Sequence, residues 1–460
     1  MDISIILAAG EGTRMKSKTP KVLHKVCGKP ILEYVLDASR RAGIDKNIVI
    51  VGNGSEIIRE YFQDDEVIFK EQPTGENAPY GTGFAVMQGI DEVKDEDTVV
   101  ILCGDTPLIT KDSVKLLMDY HKKENLHATV LTTLLDDASG YGRIKRDDSG
   151  NVSKIVEEKD ASQSEKEIKE INSGVFCFNG SVLRNSLEKL DNDNSQNEYY
   201  ITDIIGILKE EGYNLGAFII EDASEIHGIN SREQLSFSEK LMKERINKRH
   251  MSNGVTLIDP EHTYIEDSVV IGRDTIIYPG ALIEGKTSIG EDCVIKGDTR
   301  ISNSTIKDYV TIESSVIETS FAERGASIGP SAHLRPQSHL GENVHIGNFV
   351  EVKNASIGAG SKAGHLAYIG DADVGENVNI GCGVIFVNYN GKEKFRTQVG
   401  DHSFIGSNVN LVAPVKISDW GYIAAGSTIT RDVEEGSLSI ERADQVNIEG
   451  WVEKKGLKTK

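Results

Sequence analysis

Short apolar runs alternate with amphipathic stretches through the first half of the chain. Runs at residues 3–7, 48–51 and 99–102 read as strands, and the stretches 31–42 and 55–62 read as helices. That alternation is α/β order and predicts a mostly parallel sheet covered by helices. Residues 231–250, REQLSFSEKLMKERINKRH after Ser231, contain no glycine or proline and consist largely of good helix formers. They predict a linker helix, with Leu235, Leu241, Met242 and Ile246 as its apolar positions.

Beyond Gly254 the period changes to six. Apolar residues recur at Ile271, Ile277, Ile283, Ile289, Ile295 and Ile301, often followed by glycine or a carboxylate. The phase slips and resumes at Ile328, Leu334, Leu340, Ile346 and Val352, then at Val374 and Ile380. It runs again through Val399, Ile405, Leu411, Ile417, Ile423 and Ile429. A helix needs apolar spacing near 3.6 and an ordinary strand needs spacing of two, so a sustained hexad predicts a parallel β-helix with each apolar residue stacked inward. The slips predict insertions. The longest interruption, GCGVIFVNYNGKEKFRTQ at 381–398, is a polar and basic stretch of the kind that carries function.

Composition narrows the class. At 460 residues the chain exceeds one hydrophobic core, so at least two domains are expected. The formal charge of −21 opposes broad binding to nucleic acid or anionic membrane, so any phosphate ligand must be held locally. No apolar run approaches membrane-spanning length, and no basic segment precedes the run at 3–10, so neither membrane insertion nor a signal peptide is expected. Five scattered cysteines, Cys27, Cys103, Cys177, Cys293 and Cys382, without CxxC spacing fit a reducing cytoplasm better than a disulfide framework or structural zinc.

The chemistry-bearing motifs are ordered along the chain. ILAAGEGTRM at 6–15 follows the first strand, and such a turn exposes N–H groups that cradle phosphate, although a plain tight βα connection reads the same way. With the Pro20-Lys21-Val22-Leu23 that follows, this segment resembles the signature of the sugar-phosphate nucleotidyltransferases. Gly81-Thr82-Gly83 comes next. Then LCGDTPL at 102–108 ends an apolar strand in Asp105, a hard oxygen ligand at the strand edge where α/β sheets place ligands. GYGR at 140–143, IVEEKD at 155–160, INSG at 171–174, EYYITD at 198–203 and GIN at 228–230 extend the match over the whole half. In the β-helix, Arg335, Lys353, His365 and Tyr368 fall within a short stretch that coiling can stack on one face. A histidine and basic residues of this kind are otherwise ordinary surface groups.

Together these motifs resemble the bacterial bifunctional enzymes that join an N-acetylglucosamine-1-phosphate uridylyltransferase to a glucosamine-1-phosphate acetyltransferase. GNFVEVKNASIGAGSKAGHLAYIGDADVGENVNIG at 347–381 carries the resemblance in the second half. It implies a Rossmann-like nucleotidyltransferase domain at 1–230, a linker helix at 231–251 and a left-handed β-helix of hexapeptide repeats at 252–460. On the same resemblance Leu7, Ala8, Ala9, Gly10, Lys21, Gln72, Gly81 and Thr82 bind UTP, and Gly142, Glu157 and Asn172 bind the sugar phosphate. Asp105 and Asn230 hold Mg2+. His365 is the general base of acetyl transfer, and Arg335, Lys353, Tyr368 and Asn379 hold glucosamine-1-phosphate. Acetyl-CoA meets Cys382, Asn388, Tyr389, Ser407, Ala425 and Arg442. A homotrimer formed through the β-helix, a cytoplasmic location and supply of cell-wall and lipopolysaccharide precursor complete the expectation.

Three departures stand out: PTGENAP at 73–79 is an apparent insertion before Gly81, and Cys103 and Cys382 stand where an aromatic and an alanine are usual. Two rival readings remain. In one the β-helix only regulates or oligomerises, as in ADP-glucose and mannose-1-phosphate relatives, against which HLAY and NYNG around His365 and Asn388 argue. In the other the chain is a non-catalytic sensor, against which Lys21, Asp105, Asn230 and His365 argue.

Overall fold

The computed structural model describes residues 1–63, 66–75 and 78–458. The chain separates into two compact units, Met1–Met242 and Lys243–Lys460.

The first unit is built on a sheet whose main strands lie in the order Leu215–Ile219, Ala128–Leu134, Glu170–Asn179, Thr98–Cys103, Asp2–Ala8, Lys46–Val51 and Ile68–Glu71. Neighbours pair in parallel except Glu170–Asn179, which is antiparallel to the strands on both sides. A hairpin, Arg143–Arg146 with Val152–Val156, attaches where Arg143 pairs with Ile171. Successive side chains point to opposite faces. Ile6, Val49, Val51, Val100 and Leu102 pack under the helices Ile31–Arg41, Ser55–Tyr61 and Lys111–Lys123. Ile3, Ile5, Ile48, Ile50, Val99 and Ile101 pack under Thr82–Met87, Gly180–Leu187 and Asp203–Glu210. Full burial of each Val, Leu or Ile contributes about 1.5–3 kcal/mol. A strand with four consecutive buried apolar residues, Val99 to Leu102, therefore belongs in the middle of such a sheet.

The predicted linker helix runs over Arg232–Ser252, and the division between the units falls within it. Met242 and Ile246 are buried, while Leu235 and Leu241 are half-buried.

The second unit is a left-handed parallel β-helix with three short strands to a coil, and its strand ladders are parallel. Every hexad position named above is buried. Ile277 lies over Ile295 and Ile283 over Ile301, which is three hexads per coil. One corner of most coils carries a residue with positive φ, among them Asp274, Asp292, Tyr309, Asn343, Asn377, His402 and Trp420. Asn and Asp tolerate this conformation best, whereas Tyr, His and Trp pay roughly 1–2 kcal/mol. The His402 and Trp420 rings stack at 4.5 Å between centroids.

The structure corrects the reading of the phase slips. Between Ile301 and Ile328 nothing is inserted: Ile306, Ile312, Ile317 and Ala322 continue the stack, and several turns are one residue short. Only the later interruption is an insertion, and it is shorter than 381–398. Ile385–Val387 still pairs in register with Asn410–Val412, and Thr397–Val399 with Val415–Ile417. The added residues lie between those two strands, closed by a bridge between Tyr389 and Lys394.

Candidate functional site

In the first unit a cleft of about 290 Å³ opens at the carboxyl ends of the central parallel strands, where ligands of α/β sheets sit. Leu7, Ala8, Ala9 and Gly10 line it from the end of the first strand and the turn after it. Lys21, Gln72, Gly81, Thr82 and Asp105 line it from other loops. Gln72 is buried at this wall, directly before the apparent insertion, of which residues 76–77 lie outside the described residues.

Lys21 is the centre of the polar floor. Its Nζ lies 2.6 Å from Asp105 Oδ2 and donates to Asn230 Oδ1 at 3.0 Å. Asp105 reaches this place because Thr98–Cys103 pairs with Asp2–Ala8, with Gly104 N–H donating to the Leu7 carbonyl at 2.9 Å. Asn230 is held by the Ile229 N–H on the Asp105 carbonyl, 2.9 Å, and by its own N–H on Gln234 Oε1, 2.7 Å. Two oxygens from distant segments thus converge on one cation. Among the described residues no group of three or more His, Cys, Asp or Glu gathers to hold a metal.

Gly142, Glu157 and Asn172 do not line that cleft, but they meet one another. A Cβ on Gly142 would stand 3.4 Å from Glu157 Oε2 and 3.5 Å from Asn172 Cβ. Asn172 N–H donates to the Gly142 carbonyl at 2.8 Å, and Thr202 Oγ1 donates to Glu157 Oε1 at 3.0 Å. Burial pushes the Glu157 carboxyl above its ordinary range, helped by nearby Asp203, Asp160 and Glu198 and opposed by Thr202. Cys103 is not a reactive thiol: burial, with Asp105 adding to it, pushes it up to about 12.

Sequence reasoning missed Tyr80 and Glu198 as cleft residues. The EYYITD segment at 198–203, which begins with Glu198, offers only the family match as its sequence signal. Tyr80 is half exposed at the cleft rim, and its closeness to Glu198 and Glu11 follows from the chain closing there, with Tyr199 N–H on the Tyr80 carbonyl at 2.8 Å.

In the second unit the candidate residues gather along the coils. His365 pairs with Asn348, Lys362 with Asn379, Asn379 with Phe404 and Phe404 with Tyr422. Carrying that register three residues on puts His365, Cys382, Ser407 and Ala425 in one column at one corner of successive coils. Corner hydrogen bonds follow the column: Asn408 N–H to the Cys382 carbonyl at 2.7 Å and Gly426 N–H to the Ser407 carbonyl at 2.8 Å. Arg442 Nη1 donates to the Ala425 carbonyl at 2.8 Å. All four residues are exposed.

A second group lies on the adjoining face. Arg335 Nη1 lies 2.9 Å from Glu351 Oε1, and Glu351 is in register with Tyr368. The Tyr368 hydroxyl accepts from Asn388 Nδ2 at 3.3 Å, and Asp371 binds the Asn388 amide as well as Asn354 Nδ2, the latter at 2.5 Å. Asn388 is buried by these contacts while Tyr389 is largely exposed. Lys353 sits beside Lys394 of the inserted loop, and its ammonium pushes Lys394 below the usual lysine range. Lys394 was missed; the KEK run after NYNG was its only sequence signal.

A family model described as nucleotidyl transferase matches residues 3–228. The chain is accordingly a nucleotidyl transferase unit continued by a β-helix. Over nearly its whole length it is similar to the bifunctional protein GlmU of Clostridioides difficile, 53% identical over 455 residues, covering 99% of this chain and 98% of that protein. The bifunctional protein GlmU of Caldanaerobacter subterraneus is 52% identical over 453 residues, covering 98% of each. Among solved structures, a UDP-glucose pyrophosphorylase complexed with UDP-glucose aligns at 17% identity and a TM-score of 0.44, covering 53% of this chain and 99% of that one. The chain belongs to the GlmU family of bifunctional proteins.

Proposed function

We propose that residues 1–230 carry uridylyl transfer, that residues 252–460 carry acetyl transfer, and that 231–251 link them. As a member of its family the chain is a bifunctional transferase that makes UDP-N-acetylglucosamine. Acetyl-CoA acetylates glucosamine-1-phosphate, and the product then takes UMP from UTP with release of pyrophosphate.

The observation that carries the first assignment is the convergence of Lys21, Asp105 and Asn230 at the strand ends. UTP lies along Leu7 to Gly10, Gln72, Gly81 and Thr82, with Lys21 against its phosphates. Gly142, Glu157 and Asn172 hold the sugar, so that its phosphate oxygen attacks the α-phosphorus in line and pyrophosphate leaves. These residues position the reactants and neutralise charge, and no covalent nucleophile is needed. A Mg2+ ion takes one or two protein oxygens and completes its shell with water and phosphate, which suits the pair Asp105 and Asn230. Bound there, it supplies positive charge against the phosphate oxygens.

The column at the β-helix corner supports the second assignment. His365 accepts a proton from the glucosamine amine as the nitrogen attacks the thioester carbonyl, and coenzyme A leaves as the thiol. Arg335 and Lys353 clamp the sugar phosphate, with Tyr368 and Asn379 on the sugar. Acetyl-CoA runs along Cys382, Ser407 and Ala425 to Arg442, with Asn388 and Tyr389 at the thioester end. Cys382 takes part through its backbone. The exposure of this column along its length suits a cleft completed by a neighbouring chain, and we assign a homotrimer. Among the described residues no helix is long and apolar enough to cross a membrane. Among the described residues no two cysteines form a disulfide, which supports a cytoplasmic setting.

Paired substitutions test the division. Asp105→Ala is expected to abolish UTP-dependent pyrophosphate release while sparing acetyl transfer, and His365→Ala to do the reverse. Loss of both activities in either folded variant would overturn the two-site assignment.

A further inference from the structure

Arg143 is among the largest side chains the protein buries, with 2% of its surface exposed. A buried guanidinium carries a desolvation cost of several kcal/mol unless it is well paired, so its partners indicate what holds it there. Nη2 forms an ion pair with Glu158 Oε2 at 2.8 Å without hydrogen-bond alignment, and Nη1 donates to the Tyr141 carbonyl. Nε finds no partner among the described residues. The backbone of Arg143 pairs with Ile171 on one side and Val156 on the other.

One residue therefore ties together three segments: the turn at 140–142, the stretch at 157–158 after the hairpin, and the strand at 171–172. Each contributes one member of the group Gly142, Glu157 and Asn172. Those three meet across the gap left by the missing Gly142 side chain, at 3.4 and 3.5 Å from where a Cβ would be. The turn is fixed from both ends, by Asn172 N–H on the Gly142 carbonyl and by Arg143 on the Tyr141 carbonyl. The Glu157 backbone is fixed through its neighbour Glu158.

We propose that Arg143 is a positioning residue for the sugar phosphate, clamping the Tyr141 carbonyl and the Glu158 carboxylate so that Gly142, Glu157 and Asn172 keep their mutual geometry. This rests on the assignment of those three residues to the sugar phosphate. Lysine replaces it only in part, because a single ammonium does not reproduce the planar fork that reaches both partners.

The test measures UTP-dependent pyrophosphate release by the full chain, varying N-acetylglucosamine-1-phosphate and UTP separately. Arg143→Met is expected to raise KM for the sugar phosphate about tenfold or more, with KM for UTP within about twofold, since misplacement of binding groups by a fraction of an ångström acts on the substrate they hold. Arg143→Lys should fall between. Glu158→Gln, at a partly exposed carboxylate, should shift the same KM in the same direction by less, and it decides the matter if Arg143→Met does not fold. A rise in both KM values together, or no change in either for the folded variants, would overturn the clamp. If the unsubstituted chain released no pyrophosphate from these two substrates, the reading of the site itself would fall first.

Discussion

Gly81→Ala is a stringent test of how the cleft assigned to the nucleotide is built. Gly81 has φ 120° and ψ 164°, a region essentially reserved for glycine, where a side chain costs about 1–3 kcal/mol. A Cβ there would also stand 2.4 Å from the Tyr199 carbonyl oxygen and 2.6 Å from the Tyr199 nitrogen. Both are backbone atoms and have no rotamer to yield, so the two segments must part. Parting strains the Tyr199 N–H bond to the Tyr80 carbonyl, 2.8 Å, and the Gly83 N–H bond to the Tyr199 carbonyl, 2.7 Å. Each such bond contributes about 0.5–1.5 kcal/mol net. The substitution should therefore destabilise the first unit by about 2–6 kcal/mol, with its melting temperature falling by about 2–4 °C per kcal/mol in a unit of this size. Tyr80, Gly81 and Thr82 all line the cleft, so KM for UTP should rise about tenfold or more as binding groups move out of place. Acetyl transfer should be unchanged. Calorimetry with steady-state kinetics on both reactions reads all three effects. An unchanged melting temperature together with an unchanged KM for UTP would refute the steric reasoning.

Two pH-dependent predictions follow from buried titratable groups. Glu157 has its carboxyl raised by burial, so its ionised form costs stability once the pH exceeds the ordinary glutamate value. Glu157→Gln should match the parent in acid and become the more stable chain as pH rises toward neutral, while losing affinity for the sugar phosphate; denaturant titrations across that range check the sign. His250, on the linker helix within the second unit, is lowered to about 4 by burial first and by Arg249 next, with Asp267 opposing. The stability it allows is fully present above the ordinary imidazole value and is lost as pH falls toward 4, because the unfolded chain takes up a proton that the folded one resists. His250→Gln should flatten that part of the stability curve, and an unchanged slope between the two chains would refute the assignment.

The most legible features in the sequence were those set by burial alone. The hexad residues and the runs at 3–7, 48–51 and 99–102 are apolar because their places are largely buried, Ser4 alone being polar and bonded to Asn47, so their pattern reports the fold directly. The antiparallel strand Glu170–Asn179 was not legible, since alternation of strands and helices carries no sign of strand direction. The one-residue shortening between Ile301 and Ile328 was misread as insertion, because a slip in phase looks alike whichever way the chain length changes. At the sites, Lys21, Asp105 and Asn230 could be named from motifs, but their meeting across 84 and 209 residues of sequence could not. The roles of Arg143 and Lys394 were not legible because they depend on what lies beside them rather than on a local pattern.

The uneven coil lengths bear on which changes this fold tolerates. Strand pairing from coil to coil is kept by the inward residue, so one residue fewer at a turn, as between Ile301 and Ile306, leaves the ladder intact. Lengthening a turn is inexpensive as well, because each doubling of a flexible loop adds only about 0.6 kcal/mol in closure entropy. Truncating an inward Ile or Leu to Ala, by contrast, costs about 2–5 kcal/mol. The scaffold thus separates what must be kept from what can vary, and the loop that brings Asn388, Tyr389 and Lys394 to the site lies on the variable side. Its length and sequence can drift under selection for chemistry while the stack beneath it stays in register.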